Sequence, residues 1–219
     1  MGMDGIRLII FDFDGTLGDT RRNILLTMRQ TLEELSLPVA SEEECAATIG
    51  LPLRDCFLQL FPDLSDELAD RCAATYRRIF DINKKQLVPA LFPHVRETLA
   101  ELYAHGYILT VASSRSSASL REFLSDMGVI DYISLILGAD DVARAKPDPE
   151  PVLQTLRTLK IPASETLVVG DMPVDIRMGL GAGAFTCGVT FGNSDRASLA
   201  AAGAHHILDH FAPLLQLLP

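Results

Sequence analysis

Charged and hydroxyl-bearing side chains follow four predicted strands of this chain, each near the point where the strand ends. They are Asp12 and Asp14 after the first strand, Ser113, Ser114 and Arg115 after the second, Lys146 a few residues after the third, and Asp171 and Asp175 after the fourth. In an open parallel sheet, ligands bind at the carboxyl ends of the strands. We therefore expect these side chains to meet at one edge of the sheet and to form a site there.

Carboxylates packed at one edge raise each other's pKa and destabilise a fold unless a cation lies among them. A hard divalent ion with oxygen ligands meets this need, and Mg2+ suits a site with few carboxylates that also takes a phosphate. The chain carries a formal net charge of −10, so an anionic ligand needs a local positive site. The pattern thus predicts a magnesium site that binds a phosphate group.

Each of these signals has a purely structural explanation when it is taken alone. Asp14 and the glycine after it are a common turn pair, and Ser113 could cap the next helix. Lys146 before a proline could lie in a solvated loop, and Asp171 with Asp175 could serve the start of a helix. The functional interpretation rests on their joint occurrence, in this order, each at the end of a strand.

The elements that must position these side chains begin with the continuous apolar run Leu8–Phe11, which suits a strand buried on both faces of a parallel sheet. From Thr20 to about position 87, apolar residues instead recur every three or four positions, which predicts helices. Thr20 is placed to cap the first of these helices, and Ser41 with Glu44 forms a capping box for the second. This stretch is expected to be helical throughout.

After Pro93, helical and strand patterns alternate. Strands are predicted at 107–112, 133–137, 166–169 and 185–189, with helices between them and a helical tail after the last. Such alternation predicts a parallel sheet with helices on both faces. The expected fold class is a doubly wound α/β core formed by residues 1–17 and 91–219, with a small all-α domain inserted at 18–90.

Composition places the chain among globular proteins and disfavours several classes of function. Hydrophobic residues make up 48% and charged residues 22%, which is ordinary for a soluble domain. The acidic balance disfavours nucleic acid as a partner. The chain has no apolar stretch long enough for a bilayer and no signal-peptide pattern at its start, so no membrane association and a cytoplasmic location are expected. The four cysteines have no metal-binding spacing and are expected to be reduced, buried thiols.

The residues at the strand ends resemble the four motifs of the haloacid dehalogenase superfamily. Residues 12–16, Asp-Phe-Asp-Gly-Thr, resemble its first motif, DxDGT, and Ser113 resembles its second. Lys146, in Lys-Pro-Asp-Pro, resembles the third motif, and residues 170–175, Gly-Asp-Met-Pro-Val-Asp, resemble the fourth. The resemblance covers essentially the whole chain, and the helical insert is similar to the C1-type cap of this superfamily.

The resemblance implies a phosphatase that works through a covalent intermediate. Asp12 would be the nucleophile that attacks phosphorus and becomes an aspartyl-phosphate. Asp14 would protonate the leaving oxygen and then activate the water that hydrolyses the intermediate. An acid at this position also separates phosphatases and phosphomutases from the members that displace halide, because halide leaves without a proton.

The same resemblance implies the ligands of the cofactor and of the phosphate. Mg2+ would be held by Asp12, by the backbone carbonyl of Asp14 and by Asp171, with Asp175 close behind. The phosphoryl oxygens would be bound by Ser113 and Lys146, and Ser114 is a further expected substrate ligand.

Substrate choice is expected to depend on the helical insert. Its stretch 49–55 resembles the cap loop of phosphoglycolate phosphatases, and Arg54 in this loop could bind a carboxylate or a second anionic group. A surface arginine is the alternative, and the same ambiguity holds for Arg21 and Arg22 near the hinge. The five histidines lack metal-binding spacing, and the adjacent pair His205 and His206 is expected to be structural or exposed.

Several functions stay open beside the preferred one, which is magnesium-dependent hydrolysis of a small phosphorylated metabolite such as phosphoglycolate. A β-phosphoglucomutase-like isomerase shares every core motif, and phosphatases of sugar phosphates, pyrophosphate or nucleotides are also open. A receiver-type phosphoacceptor domain is a distant alternative, because receivers are much shorter and lack the helical insert, the acid at Asp14 and the fourth motif. A non-catalytic interaction protein is equally distant. Monomer and homodimer are both compatible with the sequence.

Overall fold

A computed structural model describes Met3 and residues 5–218. Its strands are β1 (Leu8–Phe11), β2 (Gly18–Asp19), β3 (Ala90–Leu91), β4 (Ile108–Ala112), β5 (Ile133–Leu137), β6 (Thr166–Gly170), β7 (Phe185–Val189) and β8 (His206–Leu208). Its helices are α1 (Arg21–Glu34), α2 (Glu42–Ala46), α3 (Leu53–Leu60), α4 (Asp66–Asn83), α5 (Val95–Ala104), α6 (Ser117–Asp126), α7 (Glu150–Leu159), α8 (Pro173–Gly181), α9 (Arg196–Ala201) and α10 (Leu214–Leu217).

Six of the strands form one parallel sheet in the order β5-β4-β1-β6-β7-β8. The first strand therefore lies in the middle, with β4 on one side and β6 on the other. Chain connections run outward from this centre in both directions, which is the doubly wound arrangement. The predicted α/β fold class is confirmed.

Successive residues of β1 point to opposite faces of the sheet, as the pleat of a strand requires. Leu8 and Ile10 pack into one apolar cluster with residues of α7 and α8. Ile9 and Phe11 pack into a second, larger cluster with residues of α5, α6 and α10. All four side chains are fully buried, which explains why this strand has no polar residue until it ends at Asp12.

The helical segment between β1 and α5 joins the sheet through a short two-stranded ribbon. The chain leaves through β2 and returns through β3, and these strands pair antiparallel, Gly18 with Leu91 and Asp19 with Ala90. Between them, α1 packs along α4, and α2 and α3 close the other side. The predicted capping box at Ser41 and Glu44 is present at the start of α2.

Two sequence predictions of local structure are corrected. The tail after β7 is not purely helical, because it contains β8, which completes the six-stranded sheet. This strand has three half-buried residues at the edge of the sheet, too few to show a strand pattern in the sequence. Thr20 does stand before α1, but its hydroxyl does not cap the helix and instead donates to the carboxylate of Asp14. None of the described helices combines the length and the hydropathy that spanning a bilayer requires.

Candidate active site

The four predicted site carboxylates follow the carboxyl ends of two neighbouring strands, Asp12 and Asp14 after β1 and Asp171 and Asp175 after β6. The amide of Asp12 donates to the carbonyl of Val169 in β6 at 2.9 Å, which continues the sheet pairing by one residue. Connections leave β1 and β6 in opposite directions across the sheet, so a crevice opens between their ends. Asp12 and Asp171 lie on the two sides of this crevice.

Three buried carboxylates meet there. Asp12, Asp171 and Asp175 each offer an oxygen within 4.8 Å of the others, and their side chains are almost without exposure. Lys146 lies among them and is also buried. Its ammonium donates to Asp12 Oδ1 at 2.6 Å and to Asp175 Oδ1 at 2.7 Å. The sequence predicted this convergence, and the geometry brings all four side chains together.

The charges of this cluster do not balance. One ammonium faces three carboxylates, which leaves two negative charges when all four groups are ionised. Burial, and after it the charge of Asp175, raises the pKa of Asp171 to about 7. Burial also raises the pKa of Asp12 well above its usual value, although Lys146 counteracts this. A buried oxygen-only set with two surplus negative charges fits a hard divalent cation.

Lys146 stays charged in this surrounding. Burial lowers its pKa, but the carboxylates of Asp12 and Asp175 outweigh burial, so that the pKa lies above the usual value. The ammonium therefore supplies a fixed positive charge beside the carboxylate of Asp12.

Asp171 is held by Asn193, which lies outside the four motifs, and by Thr16, the last residue of the first motif. Its Oδ2 accepts from the backbone amide of Asn193 at 2.7 Å and from the side-chain amide of Asn193 at 2.9 Å. Its Oδ1 accepts from the Thr16 hydroxyl at 3.2 Å. A Cβ on Gly15, whose φ is +88°, would lie 2.2 Å from Asp171 Oδ2. The glycine of the first motif is thus required both by its left-handed backbone and by this close approach.

Asp14 forms a second, separate ion pair. Arg115 Nε donates to Oδ2 at 2.7 Å and Nη2 donates to Oδ1 at 2.7 Å, while the Thr20 hydroxyl donates to Oδ1 at 2.5 Å. The side chains of Asp14 and Arg115 are each 12% exposed. Asp14 therefore faces away from the buried carboxylate cluster and toward the helical segment.

Arg115 was recognised in the sequence as a strand-end residue but was not predicted to be a site residue. Its guanidinium lies 4.6 Å from the ring centroid of Phe80 in α4 and 4.9 Å from that of Phe123 in α6. Cation–π contacts and the pair with Asp14 hold it in place. The available signal was its position two residues after Ser113, but the aromatic residues around it come from distant parts of the chain.

The two serines after β4 have different surroundings. Ser113 is buried and its hydroxyl accepts from the amide of Arg115 at 3.3 Å. It does not cap the next helix, because that role belongs to Ser116. Ser114 donates to the carbonyl of Gly50 in the helical segment at 2.6 Å. Ser113 thus lines the crevice, whereas the hydroxyl of Ser114 joins the crevice to the helical segment.

Two of the three arginines that the sequence singled out in the helical segment, Arg54 and Arg21, are engaged with protein groups. Arg54 forms ion pairs with Asp66 and Asp70 of α4. Arg21 donates to the side-chain oxygen of Asn193 at 3.0 Å, which links the start of α1 to the residue that holds Asp171. Arg22 lines a different cleft on the outer side of α1.

The remaining predictions concern histidines and cysteines. His205 accepts from the amide of Thr186 through Nδ1 at 3.1 Å, which agrees with a structural role. The four cysteines are free and buried, as predicted.

A cavity of about 470 Å³ lies between the crevice and the helical segment. Asp12, Asp14, Ser113 and Ser114 form its floor, together with Arg115. Its other walls come from α1, α3 and α4 and from the loop at 48–52. The charged and hydroxyl groups at the strand ends and the side chains of the helical segment thus line one common cavity.

Comparison with known proteins identifies the family. The family model described as "Haloacid dehalogenase-like hydrolase" matches residues 9–189. "Probable phosphatase IndB" of Dickeya dadantii (strain 3937) is 38% identical over 213 residues, covering 95% of this chain and 91% of the relative. A phosphoglycolate phosphatase of Photorhabdus laumondii is 32% identical over 219 residues, covering 99% and 94%.

A solved structure shares the fold over the full length. The crystal structure of a "predicted phosphoglycolate phosphatase" from Haemophilus somnus 129pt superposes with a TM-score of 0.86 at 27% identity, covering 99% of both chains. The relatives are named as phosphatases and the family is one of hydrolases, so the prediction of an enzyme is confirmed. The chain belongs to the haloacid dehalogenase-like hydrolase family, as its four motifs predicted.

Proposed function

We propose that this chain is a magnesium-dependent phosphatase that hydrolyses a small phosphate monoester through an aspartyl-phosphate on Asp12. The observation that carries the proposal is the environment of this carboxylate. Oδ1 is bound by Lys146, whereas Oδ2 accepts no hydrogen bond from any described residue, and Asp12 lines the cavity. One oxygen is thus fixed by a permanent cation and the other is free to attack.

The carboxylate cluster supports magnesium as the cofactor. Asp12, Asp171 and Asp175 and the backbone carbonyl of Asp14 would hold the ion, since buried oxygen donors with two surplus negative charges suit it. When bound, Mg2+ supplies positive charge that offsets the charge of the phosphate dianion. The contribution of this chain is to fix the carboxylates in place, Asp171 through Asn193 and Asp175 through the amide of Met172.

The first step is the attack of Asp12 Oδ2 on phosphorus. The bond from phosphorus to the ester oxygen breaks, and that oxygen takes a proton from Asp14 as it leaves. In the second step a water molecule gives a proton to Asp14 and its oxygen attacks the same phosphorus, while the bond between phosphorus and Asp12 Oδ2 breaks and phosphate leaves. Asp14 must leave Arg115 and Thr20, turn toward the cavity and take up a proton before the first transfer, because in the ion pair it is a carboxylate whose two oxygens both accept hydrogen bonds.

The phosphoryl oxygens are bound by Ser113 and Lys146 in this proposal. Ser113 lines the cavity beside Asp12, and Lys146 adds a positive charge at the same place. Positioning and charge neutralisation supply most of the rate acceleration in phosphoryl transfer. Ser114 contributes only if its hydroxyl leaves Gly50.

The helical segment at 18–90 acts as a cap over the site in this proposal. Its connections to the core, at 1–17 and from 91 onward, pass through the β2–β3 ribbon, which is a natural hinge. Lys84, the residue that follows α4, contacts Glu122 of α6 at 2.7 Å, and Ser114 contacts Gly50, so the segment already lies against the core. Closure of this kind shields an acyl phosphate from stray nucleophiles.

Phosphoglycolate is the first substrate to test, because several of the matched relatives carry that activity in their names. Phosphate release is measured with phosphoglycolate and with p-nitrophenyl phosphate, before and after removal of metal with EDTA. The proposal predicts that EDTA abolishes release, that Mg2+ restores it, and that Asp12→Asn lowers it roughly 100-fold or more. Full activity without metal, or an active Asp12→Asn variant, contradicts the proposal.

A further inference from the structure

We propose that the cavity above the reacting carboxylates binds an uncharged, ring-sized alcohol that carries hydroxyl groups, as in a sugar phosphate, and that the Tyr76 hydroxyl hydrogen-bonds this group. This inference rests on the proposed phosphatase function, which supplies the phosphate end of the ligand. It assigns the substrate class and a specificity-determining residue.

The volume of the cavity is larger than a phosphorylated two-carbon acid needs. The cavity of about 470 Å³ includes the crevice at Asp12 and extends under α1 and α4. Its volume falls within the range of about 300–1,000 Å³ that holds ligands of drug size. Phosphate esterified to a two-carbon acid would leave most of this space unfilled, although hydrogen bonds already join the helical segment to the core. A ring-sized alcohol occupies more of it.

The walls of the cavity include several buried apolar side chains. Ile24 and Met28 of α1 and Phe80 of α4 line the cavity, and each is at most 9% exposed. Tyr76 lies one turn before Phe80, and the two rings stack with centroids 5.8 Å apart and an interplanar angle of 17°. These side chains make part of the cavity lining apolar. Such a surface binds the carbon-bound hydrogens of a ring and not a carboxylate.

The Tyr76 hydroxyl is available to hydrogen-bond a ligand in the cavity. Tyr76 is 8% exposed and lines the cavity, yet its hydroxyl makes no hydrogen bond with any described residue. Every described side-chain nitrogen or oxygen atom that is itself fully buried has a hydrogen-bond partner, so the Tyr76 oxygen keeps some exposure, on the side of the cavity that the residue lines. This hydroxyl therefore offers a donor and an acceptor to a ligand. Burial raises its pKa, and the nearby charges of Arg115 and Asp14 act in opposite directions, so it stays protonated.

The charged side chains that line the cavity leave little positive charge for a second anion. Four aspartates and three arginines line the cavity, so its charges sum to −1. Arg54 is paired with Asp66 and Asp70, and Arg115 is paired with Asp14. The remaining arginine, Arg77, is exposed to solvent. Beyond the phosphate itself, these surroundings do not favour a second anionic group.

The test compares kcat/KM for phosphoglycolate, p-nitrophenyl phosphate and a panel of pentose and hexose phosphates, with Mg2+ present. Wild-type enzyme is expected to prefer at least one sugar phosphate over phosphoglycolate by about tenfold or more. Tyr76→Phe is expected to lower kcat/KM for that substrate about tenfold relative to p-nitrophenyl phosphate, mainly through KM, because the bond forms already in the bound substrate. Tyr103→Phe, at a 52% exposed tyrosine of α5, is the matched control and leaves the ratio unchanged.

Three outcomes overturn the inference. A Tyr76→Phe variant that is folded and shows wild-type ratios for the whole panel removes the role of the hydroxyl. A preference for phosphoglycolate that Arg77→Gln abolishes shows that the cavity binds a second anion. Absence of p-nitrophenyl phosphate hydrolysis by wild type defeats the phosphatase proposal itself, and the inference falls with it.

Discussion

The guanidinium of Arg115 binds the carboxylate of Asp14 through two parallel hydrogen bonds, Nε to Oδ2 and Nη2 to Oδ1, each 2.7 Å long. The pair joins the first motif to the residue two positions after the second. The rings of Phe80 and Phe123 cover the guanidinium, the first from the helical segment and the second from the core. A single cation thus contacts the proposed acid–base residue, the cap and the sheet domain.

Arg115→Ala is expected to destabilise the protein measurably, because it leaves a largely buried carboxylate with one hydroxyl partner. We expect a loss of about 2–3 kcal/mol in the free energy of unfolding, measured by urea denaturation. Arg196→Ala is the control, since its pair with Asp209 is more than half exposed and is expected to contribute little to stability. Equal losses of unfolding free energy in both variants would show that the buried pair of Arg115 and Asp14 stabilises the protein no more than an exposed pair does.

Arg115→Lys tests geometry separately from charge. Lysine keeps the positive charge but has neither the planar fork for Asp14 nor the flat surface for the two rings. This variant is expected to fall between wild type and Arg115→Ala in stability. A lysine variant as stable as wild type would show that charge alone is sufficient.

Asn193→Ala is expected to weaken magnesium binding. The side-chain amide of Asn193 holds Asp171, and its side-chain oxygen is fixed in turn by Arg21. Partners of metal ligands typically contribute 10- to 100-fold in affinity. The measurement is the rise in melting temperature with Mg2+ concentration, which needs no substrate. Ser198→Ala, at an exposed serine of α9, is the control. An unchanged magnesium dissociation constant in Asn193→Ala contradicts this role.

Two hypotheses for Arg54 give different results. The sequence suggests that Arg54 binds an anionic group of the substrate, in which case Arg54→Ala lowers kcat/KM for phosphoglycolate 10- to 100-fold and spares p-nitrophenyl phosphate. The ion pairs with Asp66 and Asp70 instead predict small and equal losses on both substrates, because Arg54 then serves the α3–α4 contact. We expect the second result. Selective loss on phosphoglycolate would support the first hypothesis.

The sequence predicted the fold class and the convergence of the carboxylates because both follow from local patterns. A buried strand shows as an apolar run, and its carboxyl end in a parallel sheet is a binding edge. Asp12, Lys146, Asp171 and Asp175 could therefore be assigned to one cluster before any distance was known. The domain division and the chemical roles of these residues stay predictions.

Other features depend on contacts between distant segments and left no local signal. Asn193 follows no motif, and only the return of its loop to Asp171 brings it into the site. The aromatic rings over Arg115 come from α4 and α6, and their apolar spacing is the same as that of ordinary core residues. Strand β8 was missed because three half-buried residues at a sheet edge carry no periodic pattern.

The central claim is covalent catalysis at Asp12, and a burst experiment with Asp14→Asn tests it most directly. p-Nitrophenolate leaves without a proton, so this variant is expected to form the aspartyl-phosphate and then to hydrolyse it slowly, because no base activates water. Mixed with p-nitrophenyl phosphate and Mg2+, it should release one equivalent of p-nitrophenolate per chain in a rapid phase. After acid quenching, peptide mass spectrometry should find the phosphoryl group on Asp12. Slow release without a burst, or a phosphoryl group on another residue, would contradict the account.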